Sequence, residues 1–149
     1  MKKAVVIYWS GTGNTEAMAQ FVREGIQSAG GAADFYRAEA FDASLADQYD
    51  IFALGCPAMG QECREESEFE PLYKKLRPML KDRAVVLFGS YGWGDGEWMR
   101  QWESDCRNLG AKLLSEPLIV QGAPTTEAQH ACRMLGGAIA GFAVLGPDE

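Results

Sequence analysis

The stretch YWSGTGNTE, residues 8–16, has the residue types of an anion-binding loop. It follows the apolar run AVVI and precedes the helix-like segment AMAQFVREGI, so its backbone N–H groups lie at a predicted helix start. Aligned N–H donors and the helix dipole bind phosphate at such positions. The loop contains no Lys, Arg or His, and its neutral donors include the side chains of Ser10, Thr12, Asn14 and Thr15. A phosphate site is the functional interpretation, and an ordinary helix-capping loop is the alternative.

The two commonest phosphate motifs do not match this loop. A Walker loop needs G-x-x-x-x-G-K-[ST], and the lysine is missing. The dinucleotide fingerprint G-x-G-x-x-G has Gly11 and Gly13, but Glu16 stands at its third glycine. A terminal phosphomonoester has several oxygens to satisfy, so many neutral donors suit it.

Two other loops carry unusual residues where a predicted strand ends. The segment GCPAMGQE places Met59 and Gly60 after a buried strand, with a carboxylate at Glu62. The segment GSYGWGDGEW places Tyr91 and Trp93 among glycines, and such a loop cannot bury aromatic rings by itself. A flat ring held between Met59 and Trp93 would explain both features, whereas packing of Trp93 against the protein is the alternative.

Apolar runs predict five strands. Continuous runs, as expected for strands buried on both faces, occupy residues 3–8, 50–55 and 83–89, and further candidates are AADFYR and AKLLSEPLIVQ. Helical spacing predicts a helix after the first loop, one from the box Ser67–Glu70 that Pro78 should end, one over 98–109, and one from the box Thr126–Gln129.

Strands that alternate with helices predict an α/β fold with a doubly wound parallel sheet and helices on both faces. In the strand order 2-1-3-4-5, ligands bind beyond the carboxyl ends of the strands, near the switch between strands 1 and 3. The loops expected there are residues 9–15, 56–66 and 90–97, which are the three segments with unusual residues.

Length, charge and cysteine content limit the possible functions. A chain of 149 residues predicts one domain, 1–149. A net charge of −7 argues against nucleic acid and anionic membranes and favours partners with a basic patch. The apolar runs at 4–9 and 134–146 are too short for a signal peptide or a membrane span. Four cysteines without a CxxC pair, and the single His130, predict no metal site and a reducing cytoplasm.

Four motifs together resemble the short-chain flavodoxins, which are FMN-dependent electron carriers. These are SGTGNTE, LGCPAMGQE, EESEFEP and LFGSYGWGDG, and the similarity runs nearly end to end. It implies that the first loop holds the FMN phosphate, with Met59 on the inner face and Trp93 on the outer face of the isoalloxazine. It implies that Glu62 pairs with the flavin N3–H, and that backbone at Ser90, Tyr91 and Gly92 meets the ribityl chain and pyrimidine edge. Pro57 replaces a hydroxyl residue that helps some relatives bind phosphate.

The set of cofactor-binding residues that the resemblance implies covers all three loops. It comprises Ser10, Gly11, Thr12, Gly13, Asn14, Thr15, Pro57, Ala58, Met59, Gly60, Gln61, Glu62, Ser90, Tyr91, Gly92, Trp93, Gly94 and Asp95.

The resemblance also implies a redox cycle. We expect a monomeric one-electron carrier whose FMN passes between a neutral semiquinone and an anionic hydroquinone at low potential. Gly60 and Glu62 would tune that potential, and Gly60 would let the Gly60–Gln61 peptide reverse so that its carbonyl meets the reduced flavin N5. The acidic run ECREESEFE is either a solvated face or a docking surface for basic partners.

Three alternatives share the fold. A quinone or nitro reductase would need space for a nicotinamide over the flavin, which Trp93 should block. An activator of another redox enzyme would have the same fold and cofactor. A receiver domain needs an aspartate at the end of strand 3, where Gly55 and Cys56 stand. Cys106, Cys132 and His130 are expected outside the site, whereas a redox role for Cys56 and Cys63 is left open.

Overall fold

Strands and helices alternate along the part of the chain that the structure describes. This computed structural model describes residues 2–145, so the ends of the predicted domain 1–149 lie outside the described residues. The elements in chain order are β1 Ala4–Tyr8, α1 Asn14–Ser28, β2 Asp34–Arg37, β3 Ile51–Gly55, α2 Phe69–Leu76, β4 Ala84–Tyr91, α3 Glu97–Asn108, β5 Lys112–Leu113, β6 Leu118–Gln121 and α4 Thr126–Leu145. Short 3-10 turns occupy Ala38–Ala40, Ala43–Gln48 and Arg77–Met79.

The sheet is parallel throughout and confirms the predicted order. Its strands lie side by side as β2-β1-β3-β4, and the outer edge of β4 pairs with β5 and β6. The switch in winding therefore falls between β1 and β3, whose carboxyl ends are Tyr8 and Gly55. The ends of β1, β3 and β4 bring the three unusual loops to one edge of the sheet.

The predicted fifth strand is two short strands, which corrects the expectation of one continuous strand over AKLLSEPLIVQ. β5 pairs with the start of β4 and β6 with its end, and the register shifts by two residues between them. The residues in between include Pro117, which has no N–H to donate to a ladder. β6 still reaches the end of β4, so the sheet edge at the site is complete.

Two apolar cores cover the two faces of the sheet. Alternate residues of β1 point to opposite sides, as the period of a strand requires. On one face α2 and α3 contribute Phe69, Tyr73, Trp98 and Trp102, and on the other α1 and α4 contribute Met18, Val22, Leu135 and Ile139. All eight side chains are buried. The sheet edge that carries the loops is therefore a rigid support.

The start of α2 differs from the predicted capping box. The box made Ser67 the cap and Glu70 its partner, but the cap is the buried carboxylate of Glu65. Its Oε1 accepts from the N–H groups of Glu68 and Phe69, both at 2.8 Å, and its Oε2 accepts from the N–H and hydroxyl of Ser67. The helix ends at Leu76, just before Pro78, as predicted.

The last helix also begins with a different cap. The hydroxyl of Thr125, rather than Thr126, accepts from the N–H of Ala128 at 3.2 Å.

Among residues 2–145, no helix combines the length and apolar character that crossing a membrane requires.

Candidate functional site

A cavity of about 290 Å³ lies beyond the carboxyl ends of the central strands. The three loops predicted from the sequence supply eleven of its twelve lining residues, and Gly122, directly after β6, completes the wall. The lining residues are Trp9, Gly11, Thr12, Asn14, Pro57, Ala58, Met59, Gly60, Ser90, Tyr91, Gly92 and Gly122. Ten of these twelve residues belong to the set that the sequence indicated.

The first loop is shaped from inside by Ser10 and Thr15, which are buried and do not line the cavity. The Ser10 Oγ accepts from the N–H groups of Gly13 at 3.2 Å and Glu16 at 3.1 Å. The Thr15 hydroxyl lies 3.2 Å from the Ser90 hydroxyl and accepts from the Ser90 N–H at 3.3 Å, which joins the first loop to the third. These bonds leave Gly11, Thr12 and Asn14 facing the cavity.

Trp9 lies in the first loop predicted from the sequence, 9–15, but was not among the predicted cofactor-binding residues. Its indole Nε1 donates to the Glu68 Oε1 at 2.8 Å, and its ring lies against Gly11, where a β-carbon would come within 3.0 Å of it. The bond ties the cavity wall to the acidic segment before α2. The position of Trp9 directly after the first strand and before the predicted phosphate residues was the sequence signal that could have indicated it.

The second loop contains a tight turn. The carbonyl of Met59 accepts from the N–H of Glu62 at 2.8 Å, so Gly60 and Gln61 are the central residues of the turn. Gly60 is exposed, and no atom lies within 4 Å of the position that a β-carbon would take there. Positive φ falls on Glu62, at 51°, rather than on Gly60.

Glu62 presents an unpaired acceptor at this turn. Its Oε1 is buried and has no hydrogen-bond partner among residues 2–145. The carboxylate lies against Gly94 of the third loop, where a side chain would overlap it, and Gly94 has a φ of 90°. A buried carboxylate oxygen without a donor is unfavourable, so an N–H donor at this position would stabilise the site.

The third loop contributes one lining aromatic side chain and one exposed one. Tyr91 lines the cavity and packs against Trp98 with ring centroids 5.7 Å apart. Trp93 is 62% exposed and does not line the cavity. Asp95 pairs with Arg100 at 2.9 Å. Of the predicted site residues, those that do not line the cavity are Ser10, Gly13, Thr15, Gln61, Glu62, Trp93, Gly94 and Asp95.

A cation does reach the first loop, from β2. The Arg37 Nη2 donates to the carbonyl of Ser10 at 2.9 Å, and its Nε donates to Glu39 at 2.8 Å. Glu16 lies 3.7 Å from the same guanidinium. The hydrogen bond from Arg37 lowers the pKa of Glu39. The sequence of the loop contains no cation, and only the pairing of β1 with β2 brings this one to it.

The acidic run is partly internal structure rather than solvated face. Glu65 caps α2, Glu70 pairs with the half-buried Arg64 at 2.7 Å, and Glu68 accepts from the Trp9 indole. Glu66 and Glu68 remain exposed. A docking surface in this region therefore uses fewer carboxylates than the sequence suggested.

The cysteine thiols are suited to packing. Burial raises the pKa of Cys56, and its Sγ accepts from the Glu65 N–H at 3.3 Å. Burial also raises the pKa of Cys63, and it raises those of Cys106 and Cys132 to about 11. Within the described residues, no cluster of three or more His, Cys, Asp or Glu side chains could hold a metal ion.

Comparisons with known proteins agree with this geometry. The family model described as Flavodoxin matches residues 6–136. The flavodoxin of Clostridium beijerinckii is 44% identical over 137 residues, which cover 91% of this chain and 97% of that protein. The flavodoxin of Megasphaera elsdenii is 42% identical over 91% of this chain and 96% of its own length. The chain belongs to the flavodoxin family.

A solved flavodoxin structure has the same fold. The solution structure of two-electron reduced Megasphaera elsdenii flavodoxin superposes with a TM-score of 0.84 at 40% identity, over 93% of this chain and 98% of that one. Flavodoxins bind FMN and carry electrons between redox partners without turning over a substrate. This chain is accordingly an FMN-binding electron carrier rather than an enzyme.

Proposed function

We propose that the chain is a low-potential one-electron carrier whose FMN alternates between a neutral semiquinone and an anionic hydroquinone. The observation that supports this most directly is the buried, unpaired Oε1 of Glu62 beside the cavity. An imide N–H such as N3–H of the flavin would supply the missing donor. Glu62 then fixes the pyrimidine edge, and its negative charge disfavours additional electron density there.

The first loop would bind the FMN phosphate. The backbone N–H groups at the start of α1 and the side chains of Thr12 and Asn14 are the available donors, because Thr12 and Asn14 line the cavity. Ser10 and Thr15 would act mainly by shaping the loop, with their hydroxyl hydrogens as further donors. Pro57 lines the cavity in place of a hydroxyl residue, so the loop works without that donor.

The ring of the cofactor would lie between the second and third loops. Met59 and Tyr91 line the cavity, and Trp93 is exposed without a ring to cover it. The Trp93 indole is 62% exposed on a glycine-rich loop and is therefore free to stack on a flat ring. The outer face of the isoalloxazine offers such a ring.

Charge near the cofactor would lower its potential. One unit charge about 10 Å away, at an effective dielectric of about 20, contributes roughly 1.7 kcal/mol, or on the order of 70 mV for one electron. The protein carries a net charge of −7, and Arg37 is flanked by Glu16 and Glu39. Glu16 and Glu39 offset the positive charge of Arg37. The fully reduced, anionic flavin would therefore gain little stabilisation from Arg37.

The Met59–Glu62 turn would respond to reduction. In the half-reduced cofactor N5 carries a hydrogen, and a carbonyl of this turn must accept it. Gly60 is exposed, and no atom lies within 4 Å of its β-carbon position, which favours a reversal of the Gly60–Gln61 peptide. Glycine has access to backbone regions closed to other residues, which keeps the reversal inexpensive.

The partners would be redox proteins with basic docking patches, met by a monomer in the cytoplasm. A depression lined by Glu39, Asp42 and Glu68 contains one cation, Lys75, and is therefore net negative. Opposite charges steer such encounters and raise association rates.

Binding of FMN and of riboflavin to the protein freed of its flavin tests the site. We expect one FMN per chain and much weaker binding of riboflavin, because the phosphate loop contributes a large part of the affinity. Equal dissociation constants for the two flavins would remove the phosphate role of residues 10–15.

A further inference from the structure

Arg37 reaches the phosphate loop because of strand register. It is the last residue of β2 and pairs with Tyr8, the last residue of β1. Its guanidinium lies 5.6 Å from the centroid of the Tyr8 ring, which directs the side chain along the sheet edge toward Ser10. The side chain is 36% exposed, so the contact is partly shielded from water.

The guanidinium makes two directed bonds at once. Nη2 donates to the Ser10 carbonyl at 2.9 Å, and Nε donates to Glu39 at 2.8 Å. The planar fork of an arginine fixes the angle between two such bonds, which an ammonium group cannot do. Glu39 therefore holds the guanidinium, and the guanidinium holds the carbonyl.

The Ser10 carbonyl belongs to the same peptide as the Gly11 N–H. The described chain contains no cis peptide bonds, and a trans peptide is planar, so this N–H points opposite to the carbonyl. Gly11 is exposed and lines the cavity. Fixing the carbonyl on the side of Arg37 therefore turns the Gly11 N–H away from Arg37 and holds it in one direction.

We propose that Arg37 is a positioning residue that orients the Gly11 N–H as a phosphate donor and thereby sets the preference for FMN over flavins without a phosphate. The inference rests on the proposed phosphate role of the first loop. The charge of Arg37 is balanced by Glu16 and Glu39, so the effect on FMN affinity arises from the orientation of the peptide rather than from net charge.

The test measures dissociation constants of FMN and riboflavin for protein freed of its flavin, in Arg37→Met, Arg37→Lys and Arg23→Met. Arg23 is an exposed guanidinium 4.7 Å from the Phe35 ring, and its loss removes the same charge away from the loop. We expect Arg37→Met to raise the FMN Kd about tenfold, the scale of one hydrogen bond with a charged partner. Riboflavin Kd should stay unchanged, and Arg37→Lys should recover part of the loss.

Three results would overturn the proposal. These are an unchanged FMN Kd in Arg37→Met, an equal weakening of both flavins, which indicates a structural role, and an equal effect of Arg23→Met, which indicates net charge. A wild-type protein that binds both flavins equally would instead contradict the phosphate role of the loop. The two failures are thus distinguished by the wild-type measurement.

Discussion

Replacing Glu65 by Gln should destabilise the fold more than its position in an acidic surface run suggests. Glu65 is 5% exposed, and its carboxylate accepts four hydrogen bonds, two on each oxygen. Glutamine keeps one oxygen and places an NH₂ group where the other oxygen met two donors. The Ser67 hydroxyl can rotate, but a backbone N–H cannot, so at least one of the four hydrogen bonds is lost. The remaining bonds are made to a neutral amide oxygen instead of a charged carboxylate.

The expected loss follows from the strength of these bonds. Hydrogen bonds to charged groups contribute about 1.5–3 kcal/mol each, so we expect a loss of about 2–4 kcal/mol. For a domain of this size each kcal/mol shifts the Tm by about 2–4 °C, which gives a decrease of about 4–16 °C. Circular dichroism of the flavin-free protein measures this directly, with the exposed Glu66→Gln as the matched control.

The pH dependence provides a second measurement. Burial acts to raise the pKa of Glu65, but the hydrogen bonds from Ser67, Phe69 and Glu68 outweigh it and lower the pKa below 4.5. A lowered folded-state pKa means that the stabilisation is present above the unfolded-state pKa and is lost as the pH falls through the folded-state pKa. The stability difference between wild type and Glu65→Gln should therefore narrow below about pH 4.5. If Glu65→Gln is no less stable than Glu66→Gln at pH 7, Glu65 is not the cap that holds this segment.

Three further variants, two single and one double, probe the cofactor site and the docking surface. In Gly60→Val the β-carbon meets no atom within 4 Å, and we expect backbone strain of about 1–3 kcal/mol to oppose the peptide reversal. The two one-electron potentials should then lie closer by on the order of 40–130 mV while FMN still binds, and unchanged spacing in a potentiometric titration would exclude the reversal at this glycine. Trp93→Ala should increase flavin fluorescence, because the indole in contact quenches it; persistent quenching would assign the outer face to another ring. Glu66→Gln combined with Glu68→Gln should slow electron transfer to a basic partner at low salt and reduce its dependence on ionic strength. A stopped-flow rate unaffected by both salt and these changes would place docking elsewhere.

Local patterns predicted most of the fold because the apolar residues of most strands and helices recur at the spacing typical of that element. β3, Ile51–Gly55, is buried and apolar throughout, and helices end where glycine or Pro78 requires it. The caps were predicted less well. The box Ser67–Glu70 fits the sequence rule, but the charged carboxylate of Glu65 accepts from the N–H groups of Glu68 and Phe69, and the Glu65 carbonyl accepts from the Glu70 N–H. The break between β5 and β6 depends on how each pairs with β4, and a local sequence pattern carries no information on that pairing.

The site residues that are contiguous in a loop could be predicted from the sequence. Those that reach the site only through the pairing of strands could not. The three loops were indicated by their own composition, and eleven of the twelve lining residues lie in them. Gly122 lines the cavity because β6 ends beside β4, and Arg37 reaches Ser10 because β2 ends beside β1. Both facts depend on register, which is fixed by the assembled core.

Stepwise reduction of the purified holoprotein, followed by absorption and electron paramagnetic resonance, tests one-electron transfer most directly. At one electron per FMN, we predict a blue neutral radical as the main species, converted to the fully reduced form only by a second electron at a much lower potential. Direct passage from oxidised to fully reduced flavin, with no radical at the midpoint, would contradict the proposed one-electron function.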